Sequence, residues 1–155
     1  IVLILLGGIV LGVEYFRGQA VRPASGQVTL TPGSVPLYVD GVLIAGVTHD
    51  SLQSLQQVSF TDAEEGKLQD GWLLRDVLFK YIPEISFSPD TQIVVSSSSR
   101  DKSVTLTWAQ VEDKANMVMF DLSNRGTLKL VSLLPELDTR DEWVQDVDRI
   151  EVVSP

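Results

Sequence analysis

The sequence predicts an α+β protein, a mixed β-sheet interleaved with short helices behind an apolar N-terminal segment. Three observations lead there. Short alternating or β-branched runs recur between turn residues, as strands do. Residues 72–82 instead repeat their apolar side chains with a helical period. The two kinds of segment follow one another irregularly, without the alternation that marks a parallel α/β sheet.

Residues 1–13 read IVLILLGGIVLGV and hold no polar side chain. As a helix they would extend about 20 Å, short of the roughly 30 Å hydrocarbon core. The chain begins with Ile rather than Met, so the natural product is expected to start upstream, to have lost residues, or to have an unseen start. Glu14, Tyr15, Phe16 and Arg17 follow, a charged and aromatic mix suited to the membrane–water boundary. Residues 1–17 are therefore expected to be the C-terminal part of a transmembrane helix. A cleaved signal peptide would need an Ala-x-Ala-like site, for which GQAVRPASG is a poor substitute. A buried core helix is disfavoured by Gly7, Gly8 and Gly12. Gly8 and Gly12 also form a GxxxG, a spacing that lets a second membrane helix approach closely. Arg17 and Arg22 locally favour a cytoplasmic side, and Glu14 offsets them. The expectation is a single-pass membrane protein whose small acidic domain is extracytoplasmic: periplasmic, lumenal or external.

Residues 18–36 are rich in Gly, Pro, Ser and Thr and read as a linker, with a short strand at 27–30. Residues 37–155 form the expected domain. Strands at 37–39 and 42–44 flank Asp40-Gly41, a two-residue hairpin turn. Asp50 or Ser51 caps a short helix that carries Leu52 and Leu55. Residues 58–61 alternate as a strand, and 63–70 read as a charged loop. The helix over 72–82 places apolar residues at 74, 77, 78, 81 and 82 and stops at Pro83. Strands follow at 92–96 and 104–107, a short helix at 108–114, and strands at 117–120 and 127–133. A helical turn at 142–147 leads into a closing strand at 149–153.

Composition narrows the chemistry. The absence of cysteine excludes disulfides, thiolate metal sites and thiol nucleophiles. A single histidine, His49, excludes a multi-His metal site within one chain. With 12 basic and 21 acidic residues the net charge is −9, which repels phosphate backbones and argues against a nucleic-acid partner.

Five segments stand in a suggestive order: Leu37-Tyr38-Val39-Asp40-Gly41, Leu52-Gln53-Ser54-Leu55, Asp70-Gly71-Trp72-Leu73-Leu74-Arg75-Asp76-Val77-Leu78, Leu128-Lys129-Leu130-Val131, and Glu142-Trp143-Val144 running to Asp148-Arg149-Ile150-Glu151-Val152. Together they resemble the sulfite-oxidase-type molybdopterin-binding domain. The third is similar to that family's G-V-P-L-R-D-L-L signature. The last is similar to its closing W-V…I-x-V. The resemblance spans roughly residues 37–153 and implies that family's fold.

The departures bear on function. Catalytic members of the family hold molybdenum through a Cys thiolate before the signature helix. Here that interval, 61–69, has neither Cys nor the following Gly-Asn, and a hard carboxylate such as Asp62 does not replace a soft thiolate. The interval is also acidic, which is wrong for a pterin phosphate. Ser96-Ser97-Ser98-Ser99-Arg100-Asp101-Lys102 stands where the family has an Asp-Gly-Tyr turn. Residues 121–127 shorten a stretch that walls the pocket in larger relatives. The resemblance therefore implies a degenerate domain, with no cofactor and no catalytic residue expected.

Several side chains remain candidates. Ser97, Ser98, Arg100, Asn124 and Arg125 are the set that could line a vestigial anion pocket, since hydroxyls and guanidinium suit phosphate or carboxylate. Asp138, Asp141, Glu142, Asp146 and Asp148 crowd the C-terminal end. They lack calcium-loop spacing and read as a docking patch for a basic partner. His49 reads as a surface residue at a helix entry, and Glu64-Glu65 as a solvated pair. Trp72, Trp108 and Trp143 lie in apolar segments and are expected in the core.

The resulting expectation is a non-catalytic accessory subunit of a larger membrane complex, packed through its helix and docked through its acidic domain. The alternative is a small-molecule or anion sensor using the vestigial pocket. A molybdenum oxidoreductase completed by a ligand from another chain is the third reading.

Overall fold

The computed structural model describes residues 28–83 and 85–155. The expected anchor, with Gly8 and Gly12, and the linker up to Gln27 lie outside the described residues. Residues 28–30 form no strand. No helix among the described residues is long and apolar enough to cross a membrane.

The described residues form a mixed α+β arrangement of two sheets and a few short helices. The strands are β1 (Val35–Val39), β2 (Val42–Val47), β3 (Val58–Thr61), β4 (Leu68–Leu73), β5 (Gln92–Ser97), β6 (Lys102–Thr107), β7 (Met119–Leu122), β8 (Leu128–Val131) and β9 (Arg149–Val153). The α-helices are α1 (His49–Leu52), α2 (Leu74–Tyr81) and α3 (Trp108–Glu112), with a 3-10 turn at Lys114–Asn116. The first sheet runs β2-β1-β9-β5-β6, and the second β3-β4-β7-β8. β1 pairs with β9 in parallel and the other pairs are antiparallel, so the first sheet is mixed. The second is antiparallel throughout.

Cross-strand partners share a face. In the first sheet one row crosses all five strands as Ala45, Leu37, Ile150, Val95 and Val104. A second row reads Val42, Val39, Val152, Ile93 and Leu106. From β1 to β6 these apolar rows form the core face, while Val42 at the β2 end is 61% exposed. The row between them, Leu43, Tyr38, Glu151, Val94 and Thr105, is half-buried or exposed. There the Arg149 guanidinium lies 3.8 Å from the Tyr38 ring centre and bonds Glu151 at 2.8 Å.

The β1–β2 turn forms where expected. Asp40 and Gly41 both have positive φ, +47° and +78°, the geometry that favours Asp-Gly in a tight hairpin. α2 buries Leu74, Val77 and Leu78, the face its period predicts, and ends just before Ile82-Pro83. β1 begins at Val35, inside the segment read as linker.

Three local readings are corrected. Residues 68–73 form strand β4, where a charged loop and the start of a helix were expected. Gln69 and Gly71 break the apolar alternation there, for reasons visible only in three dimensions. A Cβ on Gly71 would lie 1.9 Å from the Phe120 carbonyl oxygen, so the neighbouring strand requires glycine. The cap of α1 is Thr48, whose hydroxyl accepts the Ser51 amide at 3.2 Å while the Ser51 hydroxyl accepts the Thr48 amide at 3.2 Å. Residues 142–147 form no helix. The Glu142 and Trp143 amides donate to Thr139, and Val144 then bridges Leu130 on the edge of the second sheet.

Candidate functional site

The polar features of the described domain gather on the second sheet and beside it. After β3 the chain turns sharply, and the Asp62 carboxylate organises the turn. It accepts the Glu65 amide at 2.6 Å, the Lys67 amide at 3.1 Å and the Gln69 carboxamide at 3.0 Å. Asp62 is only 2% exposed. The Glu65 amide, above all, holds its carboxyl below the usual aspartate value against the opposing effect of burial.

Gln69 extends the network across the sheet. Its side-chain oxygen accepts Lys129 Nζ at 2.7 Å, and Lys129 pairs with Asp121 at 2.9 Å. Asp121 and Lys129 face each other directly on β7 and β8, in the same row as Gly71. The Trp143 ring centre lies 4.8 Å from the ammonium, a cation–π distance. A cleft of about 470 Å³ opens over this network, walled by Gln69, Asp121, Asn124, Arg125, Lys129 and Trp143, among others.

Beside the cleft lies a clasp. Asp146 accepts Arg100 Nε at 2.6 Å, Arg125 Nη2 at 2.8 Å and the Thr127 hydroxyl at 2.7 Å. The Thr127 hydroxyl leads in holding its pKa down at about 2, with both arginines assisting against burial. Asp148 accepts the Ser98 amide at 2.8 Å and also the Ser98 hydroxyl. Lys102 donates to the Asp141 carbonyl. Glu142 accepts the Thr139 amide at 3.2 Å, and hydrogen bonds from Thr139 set its carboxyl below the usual glutamate value.

The residues singled out for an anion pocket and those singled out for a docking patch thus interlock. Ser98, Arg100 and Arg125 come from the first group, and Asp146 and Asp148 from the second. Asn124 and Arg125 stand on the cleft wall, whereas Ser97, Ser98 and Arg100 do not. Ser97 is buried at the end of β5, with its hydroxyl 3.3 Å from that of Ser99. Asp138 is half-buried and Asp141 exposed on the turn that Glu142 closes.

The remaining candidates sit apart. His49 is exposed, its ring 5.8 Å from Trp72 in an edge-on arrangement. Glu64 accepts the Arg140 amide at 2.9 Å, and Glu65 pairs with Lys67 at 2.6 Å and Arg140 at 3.4 Å. The Lys67 contact leads in lowering the Glu65 carboxyl. All three tryptophans are buried. Among the described residues no group of three His, Asp or Glu side chains is placed to hold a metal ion.

Reasoning from sequence missed Gln69, Asp121 and Lys129. One signal was available: counting outward from the 123–127 turn sets Asp121 opposite Lys129, an opposite-charge cross-strand pair. Chemically, the clasp and cleft offer matched charges and many hydrogen-bonding groups, which suits contact with a polar surface. No protein-family model matches the chain, and a comparison with curated proteins finds no match either.

Proposed function

We propose that this chain is a non-catalytic accessory subunit, tethered to a membrane by its N-terminal segment, whose domain docks onto other subunits of a larger complex. In this reading the domain is a degenerate relative of the sulfite-oxidase-type molybdopterin-binding domain and lies outside the cytoplasm. One observation weighs against anion binding at the arginines: Asp146 engages both Arg100 and Arg125, and the same contact withdraws Asp146 from the docking patch, leaving Asp141 exposed and Asp138 and Glu142 half-buried to carry it. Two guanidiniums that a phosphate-bearing ligand would recruit are already committed to a carboxylate of the same chain. The absence of cysteine adds a second argument, because the resembled family grips its metal through a thiolate. The test is gentle solubilisation of the native membrane followed by purification through this chain. Stoichiometric partners that migrate with it are expected, and migration alone would overturn the proposal.

The sensor reading draws on a different observation, the polar cleft of about 470 Å³ with Asn124 and Arg125 on its wall. It predicts that a small anion raises the thermal midpoint of the full chain and that Arg125→Ala abolishes the rise.

A further inference from the structure

We infer that the free edge of β6 receives an extended strand from a partner subunit, and that alternate side chains of that strand are lysine or arginine. The inference rests on the docking reading and names the surface and the partner's chemistry.

The two ends of the first sheet are built differently. On β2, Leu37 pairs with Ala45 while Tyr38 pairs with Leu43, which leaves Ile44 as an extra residue. Such a bulge disrupts the ladder and blunts strand addition. β6 pairs with β5 in unbroken register, from Lys102 opposite Ser97 to Thr107 opposite Gln92. It contains no proline, and its one lysine is turned aside to donate to the Asp141 carbonyl. In the second sheet β3 has only four residues, and Val144 bridges the outer side of β8. Among the described residues β6 is therefore the longest unguarded edge.

The backbone groups that point outward can be assigned. The Trp108 amide donates to the Thr91 carbonyl at 2.7 Å, one position beyond the Thr107–Gln92 pair. Antiparallel pairs alternate between hydrogen-bonded and non-bonded. Leu106, Val104 and Lys102 thus bond β5, while Thr107, Thr105 and Ser103 turn their amides and carbonyls outward. The Thr107 amide agrees, since it donates to the Gln110 side chain at 2.9 Å. Ser103 and Thr105 are exposed and hold open donors and acceptors at strand spacing.

The surroundings of this edge set the partner's charge. Residues 136–141 run beside β6 and are tied to it near both ends. Lys102 reaches the Asp141 carbonyl, and Gln110, just past β6, donates to Glu136 at 2.7 Å. Lys102 shares a face with Val104 and Leu106, so the segment lies on that side of the edge. Asp101, Glu136 and Asp141 are exposed there, and Asp138 is half-buried. The nearby arginines are engaged elsewhere, Arg100 with Asp146 and Arg140 with Glu65. A strand added to β6 would set every second side chain against carboxylates, where a basic residue gains and an acidic one is repelled. The edge and the docking patch then form one surface.

The test uses the full chain in detergent micelles and two synthetic peptides, one alternating Thr with Lys and one with Glu in place of Lys. The Lys peptide is expected to bind about tenfold more tightly and to slow hydrogen exchange at the 103 and 105 amides. Thr105→Pro removes an outward N–H without breaking the β5 ladder, so it should keep the parent's thermal midpoint and lose the peptide. Asp138→Asn combined with Asp141→Asn leaves the edge backbone intact and should weaken binding of the Lys peptide severalfold, which keeps the test decisive if the proline variant does not fold. Equal binding of both peptides, or binding without protection at 103 and 105, would overturn the inference. Protection of those amides by self-association alone would assign the edge to a second copy and also overturn it. No peptide binding, in a chain that still purifies from its native membrane with stoichiometric partners, would overturn the inference and leave the docking reading standing. A chain that migrates alone would overturn both.

Discussion

Asp62 and Asp146 are each closed in by hydrogen-bond donors, but the donors arrive from different distances along the chain. Those of Asp62 are the amides of Glu65 and Lys67 and the carboxamide of Gln69, at most seven residues away. Those of Asp146 come from Arg100, Arg125 and Thr127, which are 46, 21 and 19 residues away. The first arrangement is local and its donors are neutral. The second ties separate segments together and two of its donors are cations. Neutral donors fix a turn whatever the ionic strength, whereas exposed ion pairs weaken as salt screens them. The loop before β4 therefore owes its shape to local hydrogen bonding, and the clasp owes its closure to long-range charge.

The largest effect is expected in the first region. Gly71→Ala places a methyl group against the Phe120 carbonyl, and the strands must separate to admit it. Denaturant unfolding should show a loss of about 3 kcal/mol or more, with failure to fold as the extreme. A variant as stable as the parent would show that the β4–β7 approach is looser than described.

Next comes the charge within the sheet. Lys129→Ala leaves Asp121, whose side chain is 13% exposed, without its partner and removes a donor from Gln69. Removing one member of a largely buried pair costs about 3 kcal/mol. Lys129→Met keeps the stem over Trp143 and should cost more than Lys129→Ala if the unpaired Asp121 dominates only through lost hydration, and less if packing on the ring contributes. The account expects less, read from paired urea midpoints.

Salt then separates the two regions directly. Asp62→Asn should lower the thermal midpoint by the same amount at low and high salt. Asp146→Asn should lower it less, and the difference from the parent should shrink as salt is added. Equal salt dependence in both variants would erase the distinction between them.

The smallest effect is a pH dependence. Asp146 has its pKa lowered from the ordinary 3.8 to about 2 in the folded protein. As pH falls, the unfolded chain takes up this proton first, so the clasp's contribution is complete above the ordinary value and is lost as pH falls through about 2. The stability gap between the parent and Asp146→Asn should therefore close across that window in acid urea titrations. A gap that closed near neutral pH would contradict the assignment.

The parts of the fold legible in the sequence are those specified locally. Asp40-Gly41 signals a hairpin by turn chemistry, residues 149–153 alternate clearly, and α2 declares its buried face by period. β4 was not legible, because Gln69 is buried by virtue of partners on other strands and Gly71 by virtue of the Phe120 backbone. At the site, Ser98, Arg100, Arg125, Asp146 and Asp148 stood out as chemistry-bearing residues, but in two separate groups. Their pairing spans from 21 to 50 residues of sequence, and no spacing rule reports contact at that range.

The commitment of Arg100 and Arg125 to Asp146 is the claim that sets docking above anion binding, and anion competition tests it most directly. Thermal unfolding of the full chain is compared in chloride and in pyrophosphate at matched ionic strength. The account predicts the same midpoint in both. A higher midpoint in pyrophosphate, abolished by Arg100→Ala or Arg125→Ala, would show that the arginines remain open to an anionic ligand and would contradict it.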